Sequence, residues 1–472
     1  MKQLAWLVFA TVFVACQNLV GFDEVVDDSV ESIQLEESTV NGTSVSMAEV
    51  EKIASSFYGS EVKTRVSDRS VETISVINDD SGNPAIYVVN YADDKGFVLI
   101  SATKNFIPVL AYSDKGHFSV GKSYVDGLDD WMENMEAIIG IVSAYPVDSA
   151  YAYKGIWNKY LQTTDTETFG SVNTRSSVYD MEVYAHSCMN QWASEGYSVC
   201  RLSEFSSSHP LYERFCSVAQ GMTYIDYDYL QHSIVRSKRH DSSSSKDNFV
   251  STAWGQELGF SSQLPTINGQ YPKAGCVTIA MAQVMKYHEY PTTFDWDAMP
   301  DWSATLQTAK LIRELGDAIH AEYGLDGTPA SLENVRNALV SKYGYASTAR
   351  LISHSSDAVV EELKANRPVI MSGFPETGAG HAWIASGYKH TNYYEDFELM
   401  VMPEEYYPGS TFGYITGDSG KDILDTKYFY MNWGWYGADN AFYYDANLYI
   451  DRTNGRLCFN KDRRDLIGIQ PN

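Results

Sequence analysis

The chain has 472 residues, with 61 acidic side chains against 35 basic ones. Its formal charge of −26 makes nucleic acid and anionic membrane surfaces poor electrostatic partners for the whole molecule. Hydrophobic residues make up 44% and aromatics 13%, which excludes wholesale disorder, and the length exceeds one ordinary core, so two or more units are expected.

The first elements read as an address and a small module. Lys2 precedes an apolar run from Leu4 to Ala15 that is too short to span a bilayer and ends on small Ala15 before Cys16. Residues 1–15 are therefore expected to be a signal peptide. The layout also resembles a bacterial lipoprotein signal, which makes Cys16 a candidate for lipidation and membrane attachment, with ordinary secretion as the alternative. No later apolar stretch of about 18 residues follows, so the expected location is extracytoplasmic, secreted or lipid-anchored at the cell envelope. Residues 16–47 read as an acidic tether. Val50, Ile53, Ala54 and Phe57 then predict a short helix, and strands are predicted over Thr73 to Ile77, Ala85 to Tyr91 and Gly96 to Ser101. Turn signals at Asp79 to Gly82 and Asp93 to Gly96 favour an antiparallel meander. A further helix is expected over Gly127 to Val142.

Residues 151–246 read as a linker or an additional insert, with helices over Met181 to Trp192 and Leu211 to Gln220. The polar stretch from Thr163 to Ser177 and the run Ser242 to Ser245 are expected to be exposed, cleavable chain, and Arg236 to His240 a solvated linker or processing site. Apart from Cys16 and Cys276, the cysteines are Cys188, Cys200, Cys216 and Cys458, which allow two bridges in three connectivities. Cys188 and Cys200 are the expected partners, being close in sequence in a Ser-rich region. The spacings lack a tight Cys-x-x-Cys pair, so no metal and no cofactor is expected.

Chemistry concentrates downstream. Pro272 and Gly275 break structure just before Cys276, and Val277, Ala280, Met281, Val284 and Met285 recur at helical spacing until Tyr290-Pro291. A cysteine in the first turn feels the positive end of the helix dipole, which favours thiolate. His381 lies in a glycine-rich junction, Gly378 to Ile384, and Asn432-Trp433-Gly434-Trp435 ends an aromatic strand-like run. With Trp254-Gly255-Gln256 upstream, the order Gln, Cys, His, Asn is that of a Cys-His nucleophilic site. His288 and His354 read as structural or exposed.

These stretches, together with Phe294 to Asp297 and Val335 to Leu339, resemble the streptopain family of secreted bacterial cysteine proteases, from about Ala253 to the C-terminus. The segment from Lys95 to Ser101, leading to Pro108 to Ser113, is similar to the proregion of that family. The resemblance implies an α+β protein: a papain-like two-subdomain catalytic domain over 247–472, preceded by a small α+β proregion over 48–150. It implies a zymogen endopeptidase acting on protein or peptide substrates, with the proregion as intramolecular inhibitor and the final cut expected between Arg236 and Lys246. Cys276 would be the nucleophile and His381 its partner. The Cys276 amide and the Gln256 side chain would form the oxyanion hole, with Gln283 as the competing amide. Asn432 would orient His381 and Trp433 would shield the pair. Two departures are visible: Tyr436 replaces a family glycine, and His381 and Asn432 are 51 positions apart, which implies an insertion over roughly Asn392 to Asp425. A transglutaminase-like acyltransferase and a catalytically silent surface-binding protein are the alternatives.

Overall fold

The computed structural model describes residues 43–60, 69–121, 127–144, 151–161, 177–207, 209, 211–221, 229–373, 380–401, 413–416, 424–445, 448–451, 456–459 and 463–472. The expected signal peptide, Cys16 and most of the tether lie outside them, as do residues 163–176 of the polar stretch.

The N-terminal module comprises α1 (Met47–Ser60), β1 (Val71–Asn78), β2 (Pro84–Tyr91), β3 (Phe97–Ser101), β4 (Val109–Ser113) and α2 (Leu128–Ser143). The expected antiparallel meander is present: β1 pairs with β2, β2 with β3 and β3 with β4. Its first turn closes where the Asp79 carboxylate accepts the amides of Ser81 and Asn83. Alternation sorts the strands onto two faces. Ile86, Val88, Phe97 and Leu99 meet Leu128, Met132, Met135, Ile138, Ile139 and Val142 of α2. Tyr87, Val89, Val98 and Ile100 face the other way, onto Val50, Ile53 and Phe57 of α1. The helical spacing of the buried α2 residues is what lets one face of that helix cover the sheet.

Next come α3 (Tyr151–Leu161), α4 (Ser177–Ser194), β5 (Ser198–Arg201), α5 (Tyr212–Gly221), α6 (Tyr229–His232) and β6 (Ser233–Lys246). The remainder contains α7 (Cys276–His288), α8 (Leu306–Ala318), α9 (Leu332–Ser341), β7 (Arg350–Ser353), α10 (Ser356–Lys364), β8 (Val369–Gly373) and β9 (His381–Val401). It ends with β10 (Gly413–Thr416), β11 (Leu424–Asn432), β12 (Ala441–Tyr444), β13 (Leu448–Asp451), β14 (Arg456–Phe459) and β15 (Arg464–Ile467). Among the described residues one sheet runs β1-β2-β3-β4-β12-β11-β9-β8-β15-β7, with β10 and β6 also paired to β9 and β5 to β6. The join between the N-terminal meander and the C-terminal sheet is β4 against β12, with Tyr112 opposite Phe442 and Ala111 opposite Tyr443.

Residues 233–246 are paired chain and not a free linker, although Ser242 to Ser245 are exposed as expected. All fourteen pair antiparallel with β9, from Ser233 opposite Val401 to Lys246 opposite Tyr388. The basic patch is likewise absorbed. Arg236 bonds Glu398, and its guanidinium lies 4.6 Å from the Trp192 ring and 4.7 Å from that of Tyr197. A backbone paired along its whole length is a poor protease substrate, so the expected cut between Arg236 and Lys246 does not fit this structure.

The insertion after residue 392 and the segment before residue 246 build one lobe together. Val235, Phe397, Leu399 and Val401 pack with Leu202, Phe205 and Phe215 on one face, and Ile234 and Met400 with Ala185, Met189 and Trp192 on the other. The same two faces correct the disulfide expectation. Cys188 packs on the Trp192 side and Cys200 on the Phe215 side, and both remain thiols, as does Cys216. A bridge would have to cross the strand between them.

Candidate active site

Helix α7 begins at Cys276, as its breakers and periodicity predict. Gly275 caps it at φ +88°, and a Cβ there would lie 2.6 Å from the Thr328 carbonyl oxygen, so the backbone admits only glycine. Every residue from Val277 to Met285 is buried. The helix therefore runs through the core and points its amide end at one sulfur. It packs on β8, β9 and β15 through Ile370, Ala382, Ile384 and Leu466.

His381 opens β9, opposite Gly373 of β8, and is 3% exposed. Its Nε2 lies 3.0 Å from the Trp433 carbonyl oxygen. A carbonyl can only accept, so Nε2 carries a hydrogen and Nδ1 is the nitrogen available to sulfur. Burial pushes the Cys276 thiol up. The positive charge and hydrogen bond of His381, with the amides of Ala382 and Val277, outweigh that and hold it below its ordinary value of 9.0. The arrangement favours a thiolate beside an imidazolium.

The Asn432 side chain, expected to orient His381, bonds Thr252, Gln283 and Gly434. Its amide donates to the Thr252 carbonyl at 2.7 Å and to Gln283 Oε1 at 3.1 Å, while its oxygen accepts the Gly434 amide at 3.1 Å. Those bonds hold loops together and leave the imidazole to the carbonyl of the next residue. Gln283, fully buried, also accepts the Trp254 amide at 3.3 Å, which suits a structural amide better than an oxyanion donor. Gln256 is 4% exposed, and its carbonyl accepts the amide of Ala274 at 2.8 Å, two residues before the cysteine.

Trp433 is buried and packs against Trp383 with ring centroids 5.2 Å apart. Trp383 lies parallel to His381, at 6.3 Å and 11°. Sequence reasoning missed Trp383 as a neighbour of the imidazole; its place two residues after His381, hence on the same strand face, was the available signal. It also missed Gly127. A Cβ on this residue, at φ +83° just before α2, would lie 2.7 Å from His381 Cδ2 and 3.1 Å from Trp433 Cζ3. The N-terminal module thus touches the histidine ring directly. Nearby, Trp131 of α2 donates to the Tyr444 carbonyl at 3.1 Å, and Tyr428 to that of Val109 at 2.7 Å.

His354 is buried and structural. Its two nitrogens meet Asp465 at 2.9 Å and Asp445 at 3.0 Å, and Arg463 bonds Asp445 at 2.7 Å. His288 is half-buried, bonded to the Tyr345 hydroxyl at 3.3 Å, and desolvation pushes its pKa down to about 4.

Comparison with known proteins agrees with this layout. Residues 254–293 and 292–443 match the Peptidase C10 family, and residues 42–139 match the Spi protease inhibitor family. Streptopain of Streptococcus pyogenes is 22% identical over 250 residues, 43% of this chain and 54% of that protein. Thiol protease/hemagglutinin PrtT of Porphyromonas gingivalis is 22% identical over 266 residues, 46% of this chain and 26% of that protein. The chain spans about half the length of the streptopains it matches. A prointerpain A fragment of Prevotella intermedia aligns over 86% of this chain and 100% of its own, with a TM-score of 0.47 and 16% identity. With an inhibitor-type module ahead of a Peptidase C10 region that holds a cysteine at a helix start beside a strand-borne histidine, this chain resembles a streptopain-type cysteine peptidase precursor.

Proposed function

We propose that the chain is a secreted zymogen endopeptidase that hydrolyses peptide bonds of protein substrates through an acyl-enzyme. The observation that carries the reading is Cys276 at the start of a buried helix, hydrogen-bonded to a histidine that lowers its pKa. The thiolate attacks the scissile carbonyl carbon, and the charge that develops on oxygen is met by the Cys276 amide and the Gln256 side chain. His381 gives its proton to the departing amine, then takes one from the water that releases the acyl group. The Trp433 carbonyl holds the imidazole, and the Trp383 and Trp433 rings keep water from the pair.

Latency follows from the N-terminal module. Gly127 lies on the His381 ring, and β4 occupies the edge of β12, so the module is held against the site at high effective concentration. The pairing of β6 supports processing upstream of residue 233, with the lobe around β5 and β6 retained. Export by residues 1–15 and lipidation at Cys16 belong to the same reading.

The test is intact-mass spectrometry of the full chain incubated with unfolded casein. The wild type should shed its N-terminal module and then cleave casein. Cys276→Ala should do neither while giving an unchanged circular dichroism spectrum, because removing the sulfur removes covalent catalysis but little buried volume. Cleavage by Cys276→Ala would eliminate the nucleophile. Equal activity of uncleaved and processed chains would eliminate latency.

A further inference from the structure

Tyr436 sits in a loop conformation that ordinarily selects glycine, with φ +58°. A tyrosine there is strained relative to a relaxed backbone, so its contacts must offset the strain. Those contacts converge on one short segment. The Tyr436 amide donates to the Trp254 carbonyl at 3.2 Å, and its hydroxyl oxygen accepts the Glu257 amide at 2.8 Å. Between these two points the phenol ring covers Gly255 so closely that a Cβ there would lie 2.4 Å from Tyr436 Cζ. The outer face of the ring leans on Phe260, with centroids 5.9 Å apart. Gln256 is the residue left in the middle, and its own carbonyl is held by the Ala274 amide at 2.8 Å.

We propose that Tyr436 is a positioning residue for the oxyanion hole: it fixes the backbone on both sides of Gln256 so that the buried amide is held where negative charge develops on the substrate carbonyl. The inference rests on the reading of Gln256 given above and extends it to a residue that itself touches no reacting atom. The physical reason for such a clamp is that a donor stabilises an oxyanion best when nothing needs to reorganise as the charge appears. A side-chain amide on a loop lacks that fixity unless its backbone is tied. Here the ties come from the loop that also supplies the Trp433 carbonyl to His381, so one loop sets the imidazole and the amide together.

The experiment compares wild type, Tyr436→Phe, Gln256→Ala and the double variant in peptide hydrolysis, with alkylation of Cys276 by iodoacetamide as the control that develops no oxyanion. Tyr436→Phe keeps the ring on Gly255 and loses only the acceptor for the Glu257 amide. It should lower kcat by roughly 5- to 50-fold, less than the 10²- to 10³-fold typical of a donor removed outright, with KM within about twofold and alkylation unchanged. Gln256→Ala should lose roughly 10- to 1000-fold, and adding Tyr436→Phe to it should cost little more, since the clamp acts through the amide. Full additivity of the two losses, or an unchanged kcat in Tyr436→Phe, would overturn the proposal. Hydrogen exchange scores the clamp independently of turnover: the Glu257 amide should exchange faster in Tyr436→Phe, and an unchanged rate would overturn it. If the wild type hydrolyses nothing although Cys276 alkylates, the reading of Gln256 fails and the role assigned to Tyr436 fails with it; faster exchange in Tyr436→Phe would then show that the tie itself is real.

Discussion

Helix α7 and strand β6 have nearly the same length, 13 and 14 residues, and both lie against β9, the strand that begins at His381. They are held there by different forces. The helix keeps its place by side chains, with an unbroken buried run from Val277 to Met285. The second half of the strand keeps its place by backbone: Asp241 to Ser245 are exposed, yet each is paired with β9, whereas Ile234 and Val235 at its start are buried. The difference teaches that the supports of one catalytic strand can be chemically opposite, apolar on the helix side and polar on the edge. A side-chain truncation that is costly in the helix should therefore be tolerated in the exposed half of the strand.

The largest effect is expected in the helix. Ile279→Ala removes a fully buried side chain that also abuts Gly434 of the histidine-holding loop, and should destabilise by about 2–5 kcal/mol in chemical denaturation. A loss under about 1 kcal/mol would break the claim that burial anchors α7. In the strand the side chain should hardly matter and the backbone should. Ser243, opposite Thr391, should tolerate alanine to within about 0.5 kcal/mol, whereas Ser243→Pro, which removes a donor and stiffens the chain, should cost about 1–3 kcal/mol. Equal losses for alanine and proline would mean that the serine side chains, and not the ladder, hold β6.

The smallest effect is set by pH and concerns a third kind of anchor, the ions behind the sheet. Burial alone would lower the His354 pKa, but Asp445 and Asp465 outweigh it and raise that pKa above 6.5; Asp445, buried between Arg463 and His354, is held far below 3.8. A raised histidine contributes fully below its unfolded pKa and loses that contribution as pH rises through the folded value. A depressed carboxylate contributes above its unfolded pKa and loses it as pH falls. The stability difference between wild type and His354→Gln should therefore be widest between pH 3.8 and 6.5 and narrow at higher pH. A difference that does not change with pH would remove the charge from the account.

What was legible in the sequence follows the same division. The start of α7 was readable because Pro272, Gly275 and an apolar helical period all mark it, and the meander because its turns carry Asp and Gly between alternating apolar residues. Strand β6 was not, since a strand held by its ladder leaves its side chains free to be serine, and Ser242 to Ser245 then look like linker. The holder of His381 was missed for a related reason. The sequence pattern points to the Asn432 side chain, but the atom used is the Trp433 carbonyl, a group every residue possesses. Gly127 and His354 were beyond reach because their partners come from segments far away in the chain, such as Asp445 and Asp465 for His354.

The central claim is that His381 holds Cys276 as a thiolate in a site that would otherwise protonate it. The direct measurement is the rate of Cys276 alkylation by iodoacetamide as a function of pH, in wild type and in His381→Ala. The wild-type profile should rise with an apparent pKa below the ordinary thiol value of 9.0, and His381→Ala should shift it upward, because burial then acts without the imidazolium that opposes it. Superimposable profiles would contradict the account.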